Sequence, residues 1–204
     1  MTNGLKILLL SFGFQTLTAT TLVPLPLPNI PTTQFLITTY GASTSSLNNA
    51  SYINAAITAA NTAGGGTVVC PAGTFMSGPI TMKSNVNLYL AAGDTLRILP
   101  YGNGNGTLAN TYPNSGTADI YNPFIYGKSL TNIEVSGSGV IDGQGSDWWT
   151  AFNNSTTLQA NMKRPCLIRL VACNTVWVTG ITLMKSPGVH LTYGQSSTMG
   201  SNGT

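Results

Sequence analysis

Apolar residues recur along this chain with two different periods. In SYINAAITAANTAGGG the apolar positions Ile53, Ala56, Ile57 and Ala60 fall at helical spacing, which predicts one amphipathic helix. Ser51 is its expected N-cap and Gly64 its expected stop. Beyond it the period shortens to two. Val68 and Val69 in GTVVCPAGTF predict a strand that ends at Pro71-Ala72-Gly73, and SNVNLYL places Val86, Leu88 and Leu90 on one face. IRLVA, VWVTGITLM and VHLTY continue the pattern toward the C-terminus.

These β segments resemble one another. TNIEVSGSGVI, Thr131 to Ile141, aligns with NTVWVTGITLM, Asn174 to Met184. Ile133 and Val135 match Val176 and Val178, and Gly137 matches Gly180. SNVNLYLAAGDTL, Ser84 to Leu96, is a fainter copy. The offset of 43 residues reads as two coils of a solenoid with about 20 residues per coil. A coil with one apolar strand face and Gly/Asn corners cannot close a core alone, whereas stacked coils do so together. The expected fold class is therefore all-β, a right-handed parallel β-helix, with the helix near residue 55 capping the open end of the first coil. A β-sandwich is the competing architecture. It would want two-residue Asn-Gly hairpins between alternating runs, and these are lacking.

Composition adds an export reading. Only 6% of the 204 residues are charged, against roughly 25% in soluble domains at large. A surface of Ser, Thr, Asn and Gly is common in secreted β-rich proteins. No apolar run approaches the ~20 residues of a membrane span. Lys6 precedes ILLLSFGF, Ile7 to Phe14, so residues 1–21 are expected to be a signal peptide, with small residues around Ala19 for cleavage, although Leu17 fits that site poorly. VPLPLPNIP, Val23 to Pro31, marks residues 22–34 as an extended, Pro-rich linker. Residues 35–204 then form one domain of β-helix coils, and the protein is expected to be secreted and extracellular. Asn-x-Ser/Thr sequons at Asn49, Asn105, Asn153, Asn154 and Asn202 are glycosylation candidates in a eukaryotic host. Cys70, Cys166 and Cys173 lack metal-ligand spacing and read as buried thiols, with a Cys166–Cys173 disulfide as the alternative.

Candidate chemistry is sparse. AGGGTVV and YGNGNGT read as turns, since neither carries the Lys-Ser/Thr of a phosphate loop. The one histidine, His190, has no Gly-x-Ser-x-Gly partner for a nucleophile triad. Two of the five acidic residues, Asp142 and Asp147, fall in GVIDGQGSDWW. Paired carboxylates are what glycoside hydrolysis commonly uses. Asp142, however, reads as a turn aspartate that bonds the backbone two residues on, with Gly143 accepting a positive φ. Asp94 in AGDTL reads as a second turn aspartate, Asp147 as a loop residue, and Asp119 and Glu134 belong to no recurring motif. Trp148 and Trp149 fit either sugar stacking or packing on the coil wall.

YGA at Tyr40 to Ala42, the run from Ile53 to Leu96, NIEVSGSGVIDGQGSDWW, RPCLIRL and ITLMKSPGVHL occur in one order. As a set, across about residues 38 to 193, they resemble the N-terminal part of the polygalacturonases, glycoside hydrolase family 28. The resemblance implies a pectin-lyase-like β-helix that hydrolyses α-1,4 galacturonosyl bonds of polygalacturonate or pectin with inversion. It implies no metal or other cofactor, no nucleic-acid partner, no membrane after signal cleavage, and a monomer at full length. TSSLNNA, Thr44 to Ala50, departs from relatives that carry Gly-Asp and a further Asp there. The family's catalytic aspartates lie in Asn-Thr-Asp and Asp-Asp motifs, followed by His-Gly and Arg-Ile-Lys. All come after the block that SPGVHL matches, and none occurs before Thr204. Leu191 follows His190, and no acidic residue follows Asp147. The resemblance thus places no catalytic residue in this chain, which is expected to be inactive alone. A non-catalytic β-helix that binds wall polysaccharide is the alternative. A pectate lyase with calcium and an arginine base is a further one, disfavoured by the few acidic residues. The net charge of +3 and pI near 8.8 suit a polyanion, with Lys163, Arg164, Arg169 and Lys185 as contributors. A β-helix cut across its axis would expose unpaired edges, and association through them is expected.

Overall fold

The computed structural model describes residues 26–102, 108–113, 123–154 and 164–194. The expected signal peptide, residues 1–21, lies outside them. Residues 26–33 carry no regular secondary structure, and the chain joins the fold at Gln34. Its strands form three sheets. Sheet A contains β1 (Gln34–Leu36), β2 (Gly66–Cys70), β5 (Val86–Leu90), β8 (Thr131–Gly137) and β11 (Asn174–Val178) in that spatial order. Sheet B contains β3 (Gly73–Ser77), β6 (Asp94–Ile98), β9 (Val140–Asp142) and β12 (Thr182–Met184). Sheet C contains β4 (Ile80–Thr81), β7 (Ile125–Lys128), β10 (Ile168–Val171) and β13 (Leu191–Gly194).

The pairings within all three sheets are parallel. The chain visits A, then B, then C, and returns to A one level higher. This is a right-handed parallel β-helix, and it excludes a hairpin-built sandwich. Alternation sets the core. Val86, Leu88 and Leu90 point inward, and Ile133 and Val135 stack in register on Val86 and Leu88. Phe75, Leu96 and Ile141 form the inward column of sheet B. Ile80, Ile125 and Ile168 form that of sheet C.

The repeat count needs correcting. Thr131 pairs directly with Asn174, and Ile133 with Val176. The 43-residue offset is therefore one coil, not two. A bare coil is shorter: Gly66 pairs with Val86 across 20 residues. The extra length sits in residues 99–124 and 143–167, both at the corner between sheets B and C.

Helix α1 (Ala50–Thr62) closes the first end. Ile53, Ala56, Ile57 and Ala60 are fully buried against β1, β2, β4 and β5, as their spacing predicts. The start differs from expectation: the N-cap is Asn49, and Ser51 is exposed within the helix. The first helical N–H, at Ala50, donates instead to Asn48 Oδ1 (3.0 Å), which also accepts from Gly78 N (3.0 Å). The stop is as predicted. Gly64 has φ +91°, Gly64 N donates to Asn61 O, and Gly65 N to Ala60 O, a complete Schellman ending.

Corners recur in register too. Asn85, Asn132 and Thr175 each take the left-handed conformation where the chain enters sheet A, and Asn132 Nδ2 donates to Asn85 Oδ1 at 3.1 Å. Where the chain leaves sheet A, Gly137 (φ +115°) and Gly180 (φ +74°) stack. At the far end β11, β12 and β13 are terminal in their sheets, and Val189, Leu191 and Tyr193 are exposed. The three cysteines are free and buried, so the Cys166–Cys173 disulfide is not formed. Among the described residues no helix is long and apolar enough to cross a membrane.

A Cβ on Gly137 would lie 2.0 Å from Leu90 O, whereas one on Gly64 would meet nothing within 4 Å. Gly137→Ala should therefore cost about 3 kcal/mol or more through backbone displacement, and Gly64→Ala only about 1 kcal/mol of left-handed strain. Urea-unfolding midpoints of the two variants measure the difference.

Candidate functional site

The enlarged corner between sheets B and C leads directly into sheet C. In register along the outer face of that sheet lie Thr81, Tyr126, Arg169 and Thr192, alternating with buried Ile125, Ile168 and Leu170. Lys128 and Val171 form a second outward row. Lys185, exposed, leads out of β12 into the same corner, and His190 is exposed just before β13. His190 contributes its carbonyl, which accepts the Ile168 N–H at 3.0 Å. Lys163 lies outside the described residues. The result is a polar strip with cationic and aromatic members, running parallel to the solenoid axis.

The two long corner segments brace each other. Residues Gly145–Asn153 form helix α2. Trp148 is buried from it and meets Tyr101 of the preceding coil edge-on, ring centroids 4.9 Å apart, and Tyr112 at 6.1 Å. Trp149, more exposed, donates Nε1–H to Ser186 O at 3.0 Å. Arg164 lies with its guanidinium 4.0 Å from the Phe152 ring centroid. Both tryptophans thus serve packing in this arrangement. Asp147 stands in the first turn of α2, not in a loop, and faces solvent there, where a carboxylate complements the helix N-terminus. The helix escaped the sequence reading because it is short, glycine-flanked and without a side-chain N-cap. The signals for it were Asp147 in the first turn and the Trp148/Phe152 spacing of four.

Asp142 is buried and fully engaged. Its Oδ1 accepts Gln144 N–H at 3.0 Å, the expected turn, and its Oδ2 accepts Arg97 Nε–H at 3.0 Å. The role given to Gly143 is corrected. The left-handed residue is Gln144, at φ +45°. Gly143 is needed because a Cβ there would lie 2.5 Å from Lys185 O. Gln144 is held in its unusual conformation by Asp142 and by donating Nε2–H to Ile98 O. Arg97 and Gln144 are the site residues that sequence reasoning missed. Only pairing across a coil brings Arg97 beside Asp142, and that needs the register.

The other carboxylates do not join Asp142. Asp94 is only 1% exposed, with neither oxygen hydrogen-bonded, and burial pushes its carboxyl up to about 8. Its backbone N–H closes the turn onto Ala91 O, but its side chain makes no turn contact, unlike the expected turn aspartate. Glu134 lies on the outer face of sheet A, in register with Asn87 and Trp177. Asp119 is outside the described residues. Among the described residues no three His, Cys, Asp or Glu side chains gather as a metal site. Of the sequons, Asn153 and Asn154 are exposed at the end of α2, and Asn105 and Asn202 lie outside the described residues. Asn49 is corrected as a glycan site. It is fully buried, and its Nδ2 donates to Ser43 O and Met76 O, which leaves no room for a sugar.

These features define a parallel β-helix whose variable loops gather along one side of one sheet. The chain belongs to the glycosyl hydrolases family 28, whose sequence model matches residues 61–203. It is 28% identical over 141 residues to the "Probable polygalacturonase" of Vitis vinifera, covering 65% of this chain and 28% of that protein. It is 28% identical over 131 residues to the endo-polygalacturonase of Pectobacterium carotovorum, covering 58% of this chain and 32% of that protein. The exopolygalacturonase structure from Thermotoga maritima superposes with a TM-score of 0.63 at 22% identity, over 79% of this chain and 44% of that one. The chain thus spans about a third or less of the curated relatives it matches.

Asp142→Asn keeps an acceptor for Gln144 N–H and loses only the ion pair with the half-exposed Arg97, so it should cost about 1 kcal/mol. Asp142→Ala also releases the left-handed Gln144 and should cost about 2–3 kcal/mol. Denaturant unfolding of both variants gives the ordering.

Proposed function

We propose that this chain is the capped N-terminal portion of a secreted, polygalacturonase-like hydrolase, and that it supplies a wall of the polysaccharide groove without the hydrolytic pair. The observation that carries this reading is the state of its carboxylates. Inverting hydrolysis of a glycosidic bond uses one carboxylic acid to protonate the leaving oxygen and one carboxylate to activate a water on the opposite face of the sugar. The two must stand about 6.5–9.5 Å apart and both must reach substrate. Asp94 is sealed in the core, Asp142 is committed to Arg97 and Gln144 N–H, and Glu134 faces outward on a different sheet. Asp147 is exposed with no described carboxylate opposite it.

What the chain does offer a polyanion is the strip on sheet C. Lys185 supplies positive charge at the enlarged corner, Arg169 on the polar row of sheet C and Lys128 at the far end of β7, and Tyr126 supplies a ring. Galacturonan carries one carboxylate per sugar, so cations spread over this face raise its local concentration. The relatives' names support α-1,4 galacturonan as the polymer. The leader-like segment at Ile7 to Phe14 and the scarcity of charge support secretion.

A reducing-end assay on the 204-residue chain with polygalacturonate tests the reading. No release above the blank is expected, and measurable hydrolysis would refute it. Retention of the chain on immobilised polygalacturonate should fall several-fold at low salt in Lys128→Ala plus Lys185→Ala, with a shallower salt dependence. Unchanged retention would remove the strip from the account.

A further inference from the structure

The inward positions of β6 are Asp94, Leu96 and Ile98, and all three are buried. Leu96 and Ile98 are ordinary core. Asp94 faces the same interior with a carboxyl group. Its neighbour in the coil below is Gly73, paired in register. Its neighbour in the coil above is Gly139, one position before the Thr95–Val140 pair. Neither has a side chain to offer a hydrogen bond. The backbone holds the residue in place: its N–H bonds Ala91 O at 3.0 Å, and a Cβ on Gly139 would lie 3.1 Å from its carbonyl oxygen.

Among the described residues no compensating charge faces it. From β2 the Cys70 thiol faces it, fully buried and itself pushed up, first by burial and then by Asp94. β3 has no titratable residue. On β5 the only one is Tyr89, which is exposed on the opposite face. On β9 it is Asp142, which is turned to Arg97. On β8 it is Glu134, on the outer face of sheet A.

We propose that Asp94 is folded in as a neutral carboxylic acid, a proton-operated latch at the corner between sheets A and B of the second coil, and that its ionisation loosens that corner. A carboxylate buried without a partner is costly enough that the group keeps its proton instead. Burial alone raises Asp94 from 3.8 to about 8. The folded chain therefore holds a proton that the unfolded chain releases above about pH 4. The contribution of Asp94 to stability is fully present below about pH 4 and is lost as pH rises toward about 8, where the native carboxyl ionises as well.

The test is chemical unfolding of the full chain between pH 4.5 and 8, for wild type and Asp94→Asn, which keeps the shape without the ionisation. Wild type should lose up to about tenfold in its folding constant per pH unit, and Asp94→Asn should lack that component. Identical pH slopes would overturn the proposal. Carboxyl carbon-13 titration of folded wild type decides independently if Asp94→Asn does not fold. One aspartate still protonated at pH 6.5 supports the latch, and ordinary titration of every aspartate contradicts it.

Discussion

No strand of a parallel β-helix can satisfy its backbone within its own coil. The ladder hydrogen bonds of sheets A, B and C run to the coil above or below, so each coil is stable only as a neighbour of others. That dependence explains the two ends of this chain. At the first end α1 lays Ile53, Ala56, Ile57 and Ala60 over the apolar cross-section and removes it from water. At the other, among the described residues, β11, β12 and β13 are the last strands of their sheets, with Val189, Leu191 and Tyr193 exposed beside them. The same dependence fixes the corners. Gly137 and Gly180 leave room for backbone one coil away, and Asn132 reaches down to Asn85.

The ladder also decides where function can be placed. Corners from A to B and from C to A are short in every coil, because the strands they join must stay in register. Length is added only between B and C, at residues 99–124 and 143–167, and those additions flank sheet C. Trp148 against Tyr101 and Tyr112 braces one addition on the other. The Arg97–Asp142–Gln144 contacts tie the second addition back to sheet B across one coil. Thus Asp142 and the paired tryptophans of GVIDGQGSDWW, which first looked like chemistry, hold the second addition in place.

Much of this was legible from periodicity. A helical period gave α1 with its four buried residues, and a period of two gave β5, β10, β11 and β13. Those signals are local, and burial on one face enforces them. The coil count was not legible, since an offset of 43 residues looks the same for two bare coils as for one coil with a long corner. Only the pairing of Thr131 with Asn174 distinguishes them. The partners of Asp142 and the isolation of Asp94 were hidden for a related reason. Arg97 is a register neighbour and Gly139 a coil neighbour, so neither relation exists along the sequence. The inward turn of Asp94 broke the polar-out rule that made the other strands readable.

The central claim is that order propagates from the capped end by coil-on-coil pairing. Native-state hydrogen exchange resolved by segment measures it most directly. Amides of β2 and β5, paired on both sides beneath α1, should exchange most slowly, and those of β11, β12 and β13 fastest among the strands. Protection that is uniform along the axis, or highest at β11 to β13, would contradict the account.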